Sequence, residues 1–286
     1  MQGSNENPLD LLPPLRSVIA EFGLGARRSL GQHFLLDLNL TRRIANGARD
    51  LSAGTTIEVG PGPGGLTRSL LAAGAAQVIA VERDERCVAA LQPLVAASEG
   101  RLRVLALDAL TFDITTAGPP PLRIVANLPY NIATPLLINW LKLGPTVSEM
   151  VLMFQLEVAE RIVAKPGSKA YGRLSVLSNW CADTRLLFRI PARAFTPSPR
   201  VDSAVVRFVP HPEALYAGTL PFLEAVTAAA FGQRRKTLRR SLVSLGVPVS
   251  MLLDAAAIDG GRRAEELSVE EFASLAVALS DLRGAP

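Results

Sequence analysis

The chain has 286 residues, 49% apolar and 20% charged, with 30 basic and 26 acidic side chains giving a formal charge of +4. That is the composition of one or two folded domains and excludes a disordered polymer. No uninterrupted apolar run of about 18 residues occurs, which argues against a membrane span. The N-terminal MQGSNENPLD has no charged region leading into an apolar one, so secretion is not expected and a cytoplasmic location is. Cys87 and Cys181 are far apart and form no CxxC, so buried, reduced thiols are expected in place of a disulfide or a zinc site.

Residues 1–14 read as a loose tail. Leu40, Ile44 and Ala48 share one face of a helix predicted over 39–50. Strand-like and helix-like runs then alternate. TTIEVG (55–60) precedes a glycine loop and a helix over 65–73. QVIAVER (77–83) precedes a helix over 84–97. RLRVLAL (101–107) ends at Asp108. RIVANL (123–128) ends at Pro129, with a helix near 134–143. EMVLMFQ (149–155) leads into another helix. This alternation predicts a mostly parallel, doubly wound α/β sheet covered by helices. TRLLFRI (184–190) and SAVVRFV (203–209) are expected as an antiparallel pair at one sheet edge. After VPHP (209–212) the pattern is helical, over 221–231, 233–245 and 269–282, and residues 213–286 read as a small helical domain. Ser268 with Glu271 three residues on is a capping-box signature.

Charge is unevenly placed. Residues 161–210 hold nine basic and two acidic side chains, and Arg234, Arg235, Lys236, Arg239 and Arg240 crowd together further on. Such clusters on an otherwise balanced surface suit a polyanion such as RNA. These five are the candidate RNA-binding residues.

Gly60-Pro61-Gly62-Pro63-Gly64-Gly65 follows a strand and opens a helix. Glycine is needed where backbone turns sharply or approaches a ligand. The next strand ends at Glu82, where a carboxylate can accept both hydroxyls of a ribose. The third ends at Asp108, which can accept from an adenine amino group. NAD and S-adenosylmethionine sites share this logic. The fourth strand breaks the tie, because it ends in Asn127-Leu128-Pro129-Tyr130. An exocyclic amine is a poor nucleophile, its lone pair being delocalised into the ring. Acceptors on its N–H groups, here the Asn127 oxygen and the Leu128 or Pro129 carbonyl, can aim that lone pair at a sulfonium methyl. Tyr130 can stack on a flipped base. The leaving group is a neutral thioether, so no metal is expected.

SLGQHFL (29–35), EVGPGPGGLT (58–67), VERD (81–84), NLPYNIATPLL (127–137), KAYGRLSV (169–176), FTPSPRVDSAVV (195–206) and FGQRRKTLRRSL (231–242) resemble the ribosomal small-subunit RNA adenine dimethyltransferases. The resemblance implies a Rossmann-like class I methyltransferase domain over 29–210, after a lead-in over 1–28, and a helical C-terminal domain over 211–286. It implies N6,N6-dimethylation of two adjacent adenines in the 3′-terminal hairpin loop of 16S rRNA within an assembling 30S subunit. S-adenosylmethionine contacts are implied at His33, Leu35, Gly60, Gly62, Glu82, Asp108 and Asn127. His33 stands where the family often has Asn. Phe195 would be a second aromatic wall of the base pocket. A monomer is expected, with neither metal nor membrane as partner. The alternatives are an erythromycin-resistance-type methyltransferase of 23S rRNA, which would be less apt to carry KAYGRLSV with FTPSPRVDSAVV, and a methyltransferase fold serving as a binding or transcription factor. A nicotinamide dehydrogenase fits less well, for want of a proton relay.

Overall fold

The computed structural model describes residues 7–25, 32–211 and 219–284. Residues 1–6 of the expected tail, and Ser29, Leu30 and Gly31 of SLGQHFL, lie outside them. The described strands are β1 (Phe34–Leu35), β2 (Thr55–Val59), β3 (Val78–Glu82), β4 (Leu102–Ala106), β5 (Leu122–Asn127), β6 (Val147–Gln155), β7 (Ala182–Ile190), β8 (Phe195–Thr196) and β9 (Ser203–Pro210). Seven form one sheet in the order β4-β3-β2-β5-β6-β9-β7, while β1 and β8 pair separately. Pairing is parallel from β4 through to β6, and β9 runs antiparallel to β6. The sheet is therefore the mostly parallel class I arrangement expected, with the two late strands neighbours at one edge. β3 is buried along its length, and its apolar run VIAV is what a central parallel strand requires.

The chain leaves β2 for β3 and β4 on one side, then returns to β5 on the other. The strand order reverses between β2 and β5. Ligands of doubly wound sheets bind in the crevice at such a reversal, at the strand carboxyl ends. Gly60 directly follows β2, and Asn127 closes β5.

The helices of the first half are α1 (Leu15–Glu21), α2 (Leu38–Ala45), α3 (Gly65–Ala72), α4 (Glu85–Ala90), α5 (Gln92–Ala97) and α6 (Tyr130–Leu141). Several expectations need correction. The expected tail is structured from Asn7 on: Asn7 caps a 3-10 turn over Pro8–Leu11 and Leu9 is buried in the core. α2 stops at Ala45, and Gly47 beyond it packs so closely on Leu187 and Val151 that a Cβ there would lie 2.9 and 3.2 Å from them. The helix expected over 84–97 breaks at Leu91, since Pro93 has no N–H to continue the ladder. α6 starts at Tyr130, four residues earlier than expected, directly after Pro129. Pro135, which suggested a late start, is accommodated inside the helix.

The remaining helices are α7 (Leu156–Ile162), α8 (Arg173–Cys181), α9 (Leu220–Gly232), α10 (Leu238–Ser241), α11 (Val249–Ala255) and α12 (Val269–Leu282). Expected helix 233–245 shrinks to α10 and a following 3-10 turn, because Gln233 leaves helical geometry at φ −128°. The sequence pattern missed α11. The chain divides into two compact units. One comprises Met1–Leu137, Thr146–Leu156 and Leu186–Phe208; the other Ile138–Pro145, Glu157–Arg185 and Val209–Pro286. Each has its own core. In the second, Leu223, Val226 and Ala230 of α9 and Phe272, Leu275 and Leu279 of α12 belong to one apolar cluster, each set spaced as one helical stripe. Both cysteines are buried and neither forms a disulfide.

The capping box is present: Glu271 N donates to Ser268 Oγ at 3.2 Å, and Ser268 N donates to Glu271 Oε2 at 2.7 Å. Ser268→Ala strips α12 of this cap. It is expected to lower unfolding stability by about 1 kcal/mol, read as a lower urea midpoint at unchanged slope.

Candidate active site

One cleft gathers His33, Leu35, Gly60, Gly62, Glu82, Asp108 and the run Asn127–Tyr130. The glycine loop forms its floor with bare backbone. Gly60 and Gly62 have φ of +70° and +54°, a region that favours glycine. A Cβ on Gly62 would sit 3.0 Å from Phe34, and one on Gly60 3.3 Å from Pro129. Side chains there would fill the space a ligand needs.

Glu82, at the carboxyl end of β3, ties that loop to the sheet. Its Oε2 accepts from Gly62 N at 3.1 Å, and its Oε1 accepts from Arg83 N and Asp84 N, both at 2.8 Å. Burial pushes its pKa up, and the three backbone donors pull it back down. Asp84 caps α4 and is held at about 2, chiefly by its hydrogen bonds to Arg86. It also accepts from Gln32 Nε2 at 3.0 Å, which fixes one rim of the cleft. Asp108 lies two residues beyond the end of β4, with Oδ2 3.2 Å from Arg83 Nη1 and Oδ1 accepting from Leu110 N.

Asn127 Nδ2 donates to the His33 carbonyl at 3.5 Å. That contact turns the amide so that Oδ1 is left without a partner among the described residues. Pro129 O already accepts from Ile132 N at 3.1 Å as α6 begins. Of the two candidate carbonyls, Leu128 O is therefore the freer acceptor. The Tyr130 ring stacks on His33, with centroids 5.5 Å apart, and its hydroxyl shares a 2.8 Å hydrogen bond with Ser203 Oγ. His33 Nδ1 meets Pro197 O at 2.8 Å. A carbonyl only accepts, so Nδ1 carries the proton.

Phe195 is not brought to the cleft. It pairs with Leu35 across β1 and β8 and is buried in the apolar core at 3% exposure. Strand pairing turns its side chain into packing, leaving Tyr130 as the aromatic wall. The basic residues belong to the other unit. Arg235, Lys236, Arg239 and Arg240 are exposed there, whereas Arg234 is half-buried and paired with Glu265.

Sequence reasoning missed four contributors. Leu107 and Leu110 line the cleft beside Asp108 yet stay 45% and 44% exposed, apolar surface suited to the faces of a purine. Ser203 fixes Tyr130, and its signal was membership of the FTPSPRVDSAVV motif. Glu58 lies under the cleft, 1% exposed, its Oε2 without a hydrogen-bond partner. Burial pushes its pKa up to about 8, against the pull of Thr67.

The model of the ribosomal RNA adenine dimethylase family matches residues 23–281. The chain belongs to that family. It is 55% identical to a ribosomal RNA small subunit methyltransferase A of Rhodospirillum rubrum, covering 96% of this chain and 95% of that one. It is 56% identical to a protein of the same name from Paramagnetospirillum magneticum, covering 94% and 95%. Among solved structures it resembles a dimethyladenosine transferase from Plasmodium falciparum (25% identity, TM-score 0.75, covering 85% of this chain and 96% of that one). It also resembles the 23S rRNA methyltransferase ErmE (28%, 0.66, covering 86% and 99%). The small-subunit names of the sequence relatives favour the main reading over the 23S alternative. Among the described residues, no helix is long and apolar enough to cross a membrane.

Glu58 makes stability depend on pH. Its folded-state pKa of about 8 exceeds the ordinary 4.5, so the folded state holds the extra proton between these values. This contribution is complete below the unfolded pKa and is lost as pH rises through about 8. Thermal scans should show Tm falling across that window, and Glu58→Gln should flatten the fall.

Proposed function

We propose that this chain transfers methyl groups from S-adenosylmethionine to N6 of two adjacent adenines in the 3′-terminal hairpin loop of 16S rRNA, during small-subunit assembly. Asn127 carries this reading. Its Oδ1 is unengaged, at the end of β5, in the same cleft as the glycine loop and Glu82. A dehydrogenase has no use for such an acceptor beside a tyrosine. An amine methyltransferase does.

The cleft fits the cofactor. Glu82 would accept from the ribose hydroxyls, and Asp108 from the adenine amino group. Leu107 and Leu110 would cover the adenine faces. The bare backbone at Gly60 and Gly62, with His33 and Leu35, would receive the methionine end. Glu58, with Oε2 unpartnered below the loop, would offer a buried oxygen to the cofactor's ammonium. When bound, the cofactor supplies an electrophilic methyl on a sulfonium.

The protein's part is orientation. Asn127 Oδ1 and the Leu128 carbonyl accept the two N–H groups of the target amine and direct its lone pair. Tyr130, held by Ser203 and His33, stacks on the base. Fixing two reactants in this way is worth several orders of magnitude in effective concentration. Residues 29–210 would form the methyltransferase domain and 211–286 a helical domain carrying the RNA-binding bases. In this reading the enzyme works as a monomer in the cytoplasm, without a metal, on 16S rRNA within an assembling 30S subunit.

Glu82→Ala removes charged acceptors, each worth about 1.5–3 kcal/mol. Calorimetric titration should show S-adenosylmethionine binding weakened at least ~10-fold. Wild-type affinity in that variant would exclude the ribose assignment. Asn127→Ala should lower kcat and kcat/KM together by roughly 10²–10³-fold. The second methylation should suffer more, because monomethyladenine has one N–H left to hold. Labelled-methyl transfer to undermethylated 30S subunits, with mono- and dimethyladenosine separated, checks both. Near-normal kcat and a normal dimethyl fraction would reduce Asn127 to a turn residue.

A further inference from the structure

Residues 163–172 connect α7 to α8 and carry Lys165 and Lys169, both exposed. The connection is anchored at its far end by Tyr171, which is fully buried and packs edge-on to Phe231 of α9 at 5.9 Å. Its middle is held differently. Gly167 N donates to the Glu265 carbonyl at 2.8 Å. Arg234 Nε donates to Glu265 Oε2 at 2.8 Å, and Arg234 Nη2 reaches Ser168 O at 3.5 Å. Glu265 thus grips the loop through its backbone and, by way of Arg234, through its side chain. Three residues after Arg234, Thr237 bridges to Arg263, so segment 234–240 and segment 260–265 lie side by side.

This arrangement sorts the cations. Arg234 has its charge balanced by Glu265, and Arg262 has its own balanced by Glu271. Arg235, Lys236, Arg263, Lys165 and Lys169 are exposed and make no ion pair among the described residues, although Lys165 lies near enough to Glu270 to help lower its pKa. A phosphate ligand needs an uncompensated cation with a free donor edge. The five exposed side chains, none of them held in an ion pair, have free donor edges, and Arg234 does not.

We propose that Arg234 is a positioning residue that, with Glu265, pins the 163–172 loop so that Lys165 and Lys169 join Arg235, Lys236 and Arg263 in one surface for RNA phosphates. The inference rests on the RNA-methylating reading above. It adds a second arm to the RNA surface and moves Arg234 from contact to support.

Glu265→Gln separates the two roles. The substitution removes one negative charge from the surface, so a phosphate-contacting Arg234, once freed, would bind RNA as well or better. A pin loses the charged half of its grip, the Arg234–carboxylate pair, while the Gly167 N–H bond to the residue-265 carbonyl remains. Binding to undermethylated 30S subunits is measured from 50 to 200 mM salt. The pin predicts several-fold weaker binding and a salt slope flattened by roughly 1.4 to 1.8, the share of two phosphates. It also predicts that the loss vanishes when Lys165→Gln and Lys169→Gln are already present, because there is no arm left to place. Unchanged or tighter binding, or losses that simply add, would overturn it. Cofactor affinity serves as the folding control. If Glu265→Gln does not fold, the exchange Arg234→Glu with Glu265→Arg decides. Retained affinity supports the pin, and a loss as large as that of Arg234→Glu alone refutes it. Failure of the wild-type chain to methylate these subunits would instead remove the parent reading.

Discussion

The cleft depends on one constraint, the passage of side-chain-free backbone between Val59 and Gly65. The parallel sheet delivers β2 and β5 to the same edge, and the reversal of strand order opens a crevice between their ends. That crevice is useful only if the chain leaving β2 turns at once and stays thin. Gly60 and Gly62 allow both, with left-handed backbone and no Cβ to meet Pro129 or Phe34. Glu82 then locks the turn by accepting from Gly62 N. The same carboxylate is the one proposed to accept from a ribose. Loop geometry and ligand recognition therefore share an atom group, and the loop's shape is set before any ligand arrives.

A second coupling runs through the Asn127–Tyr130 segment. α6 begins within it, so the helix start fixes the chain path from Pro129 on. The first turn consumes Pro129 O and leaves Leu128 O. From the other side, β1 and β8 pair and bring His33 to Pro197 and to the Tyr130 ring. Three stretches far apart in sequence thus set one aromatic side chain: 33–35, 130 and 195–203. Tyr130 has its hydroxyl bonded and its ring stacked, so a base stacking on it as proposed would cost it little further rotamer freedom.

The sheet, its strand order at the edge and the cleft residues at strand ends were legible in the sequence. Each rests on local patterns: apolar runs of strand length, glycines after a strand, an acid where the next strand stops. What was not legible depends on pairing between distant segments. Nothing local says that Phe195 pairs with Leu35 and so turns inward instead of facing a base. Nothing local says that Arg234 meets Glu265, 31 residues on, and leaves the group of free cations. Helix ends failed for a different reason. Just past α2, Gly47 packs on a neighbour from β7, Leu187, that no local pattern announces, and Pro135 sits inside α6. Leu107 and Leu110 read as strand-end apolar residues, and only their exposure in the cleft marks them as ligand-facing.

The charges of the two units answer a problem that the chemistry poses. A site for a cofactor with a ribose and an ammonium needs carboxylates, and carboxylates repel a phosphate backbone. The structure mutes them one by one. Glu58 is buried, with a pKa raised to about 8, so it is mostly neutral at pH 7. Glu82 is covered by three backbone donors, and Asp108 stands beside Arg83. What remains of the cleft is apolar surface, the rings of Phe34, His33 and Tyr130, and one cation, Arg83, which is already paired with Asp108. Attraction for the polyanion must then come from elsewhere in the chain. A cluster of exposed cations without ion pairs among the described residues, Arg235, Lys236, Arg239 and Arg240, lies in the other unit, where long side chains are free to follow a backbone. In the proposed reading, separation of this kind would let affinity respond to salt while the orientation of the base, set by short-range hydrogen bonds in the cleft, would not.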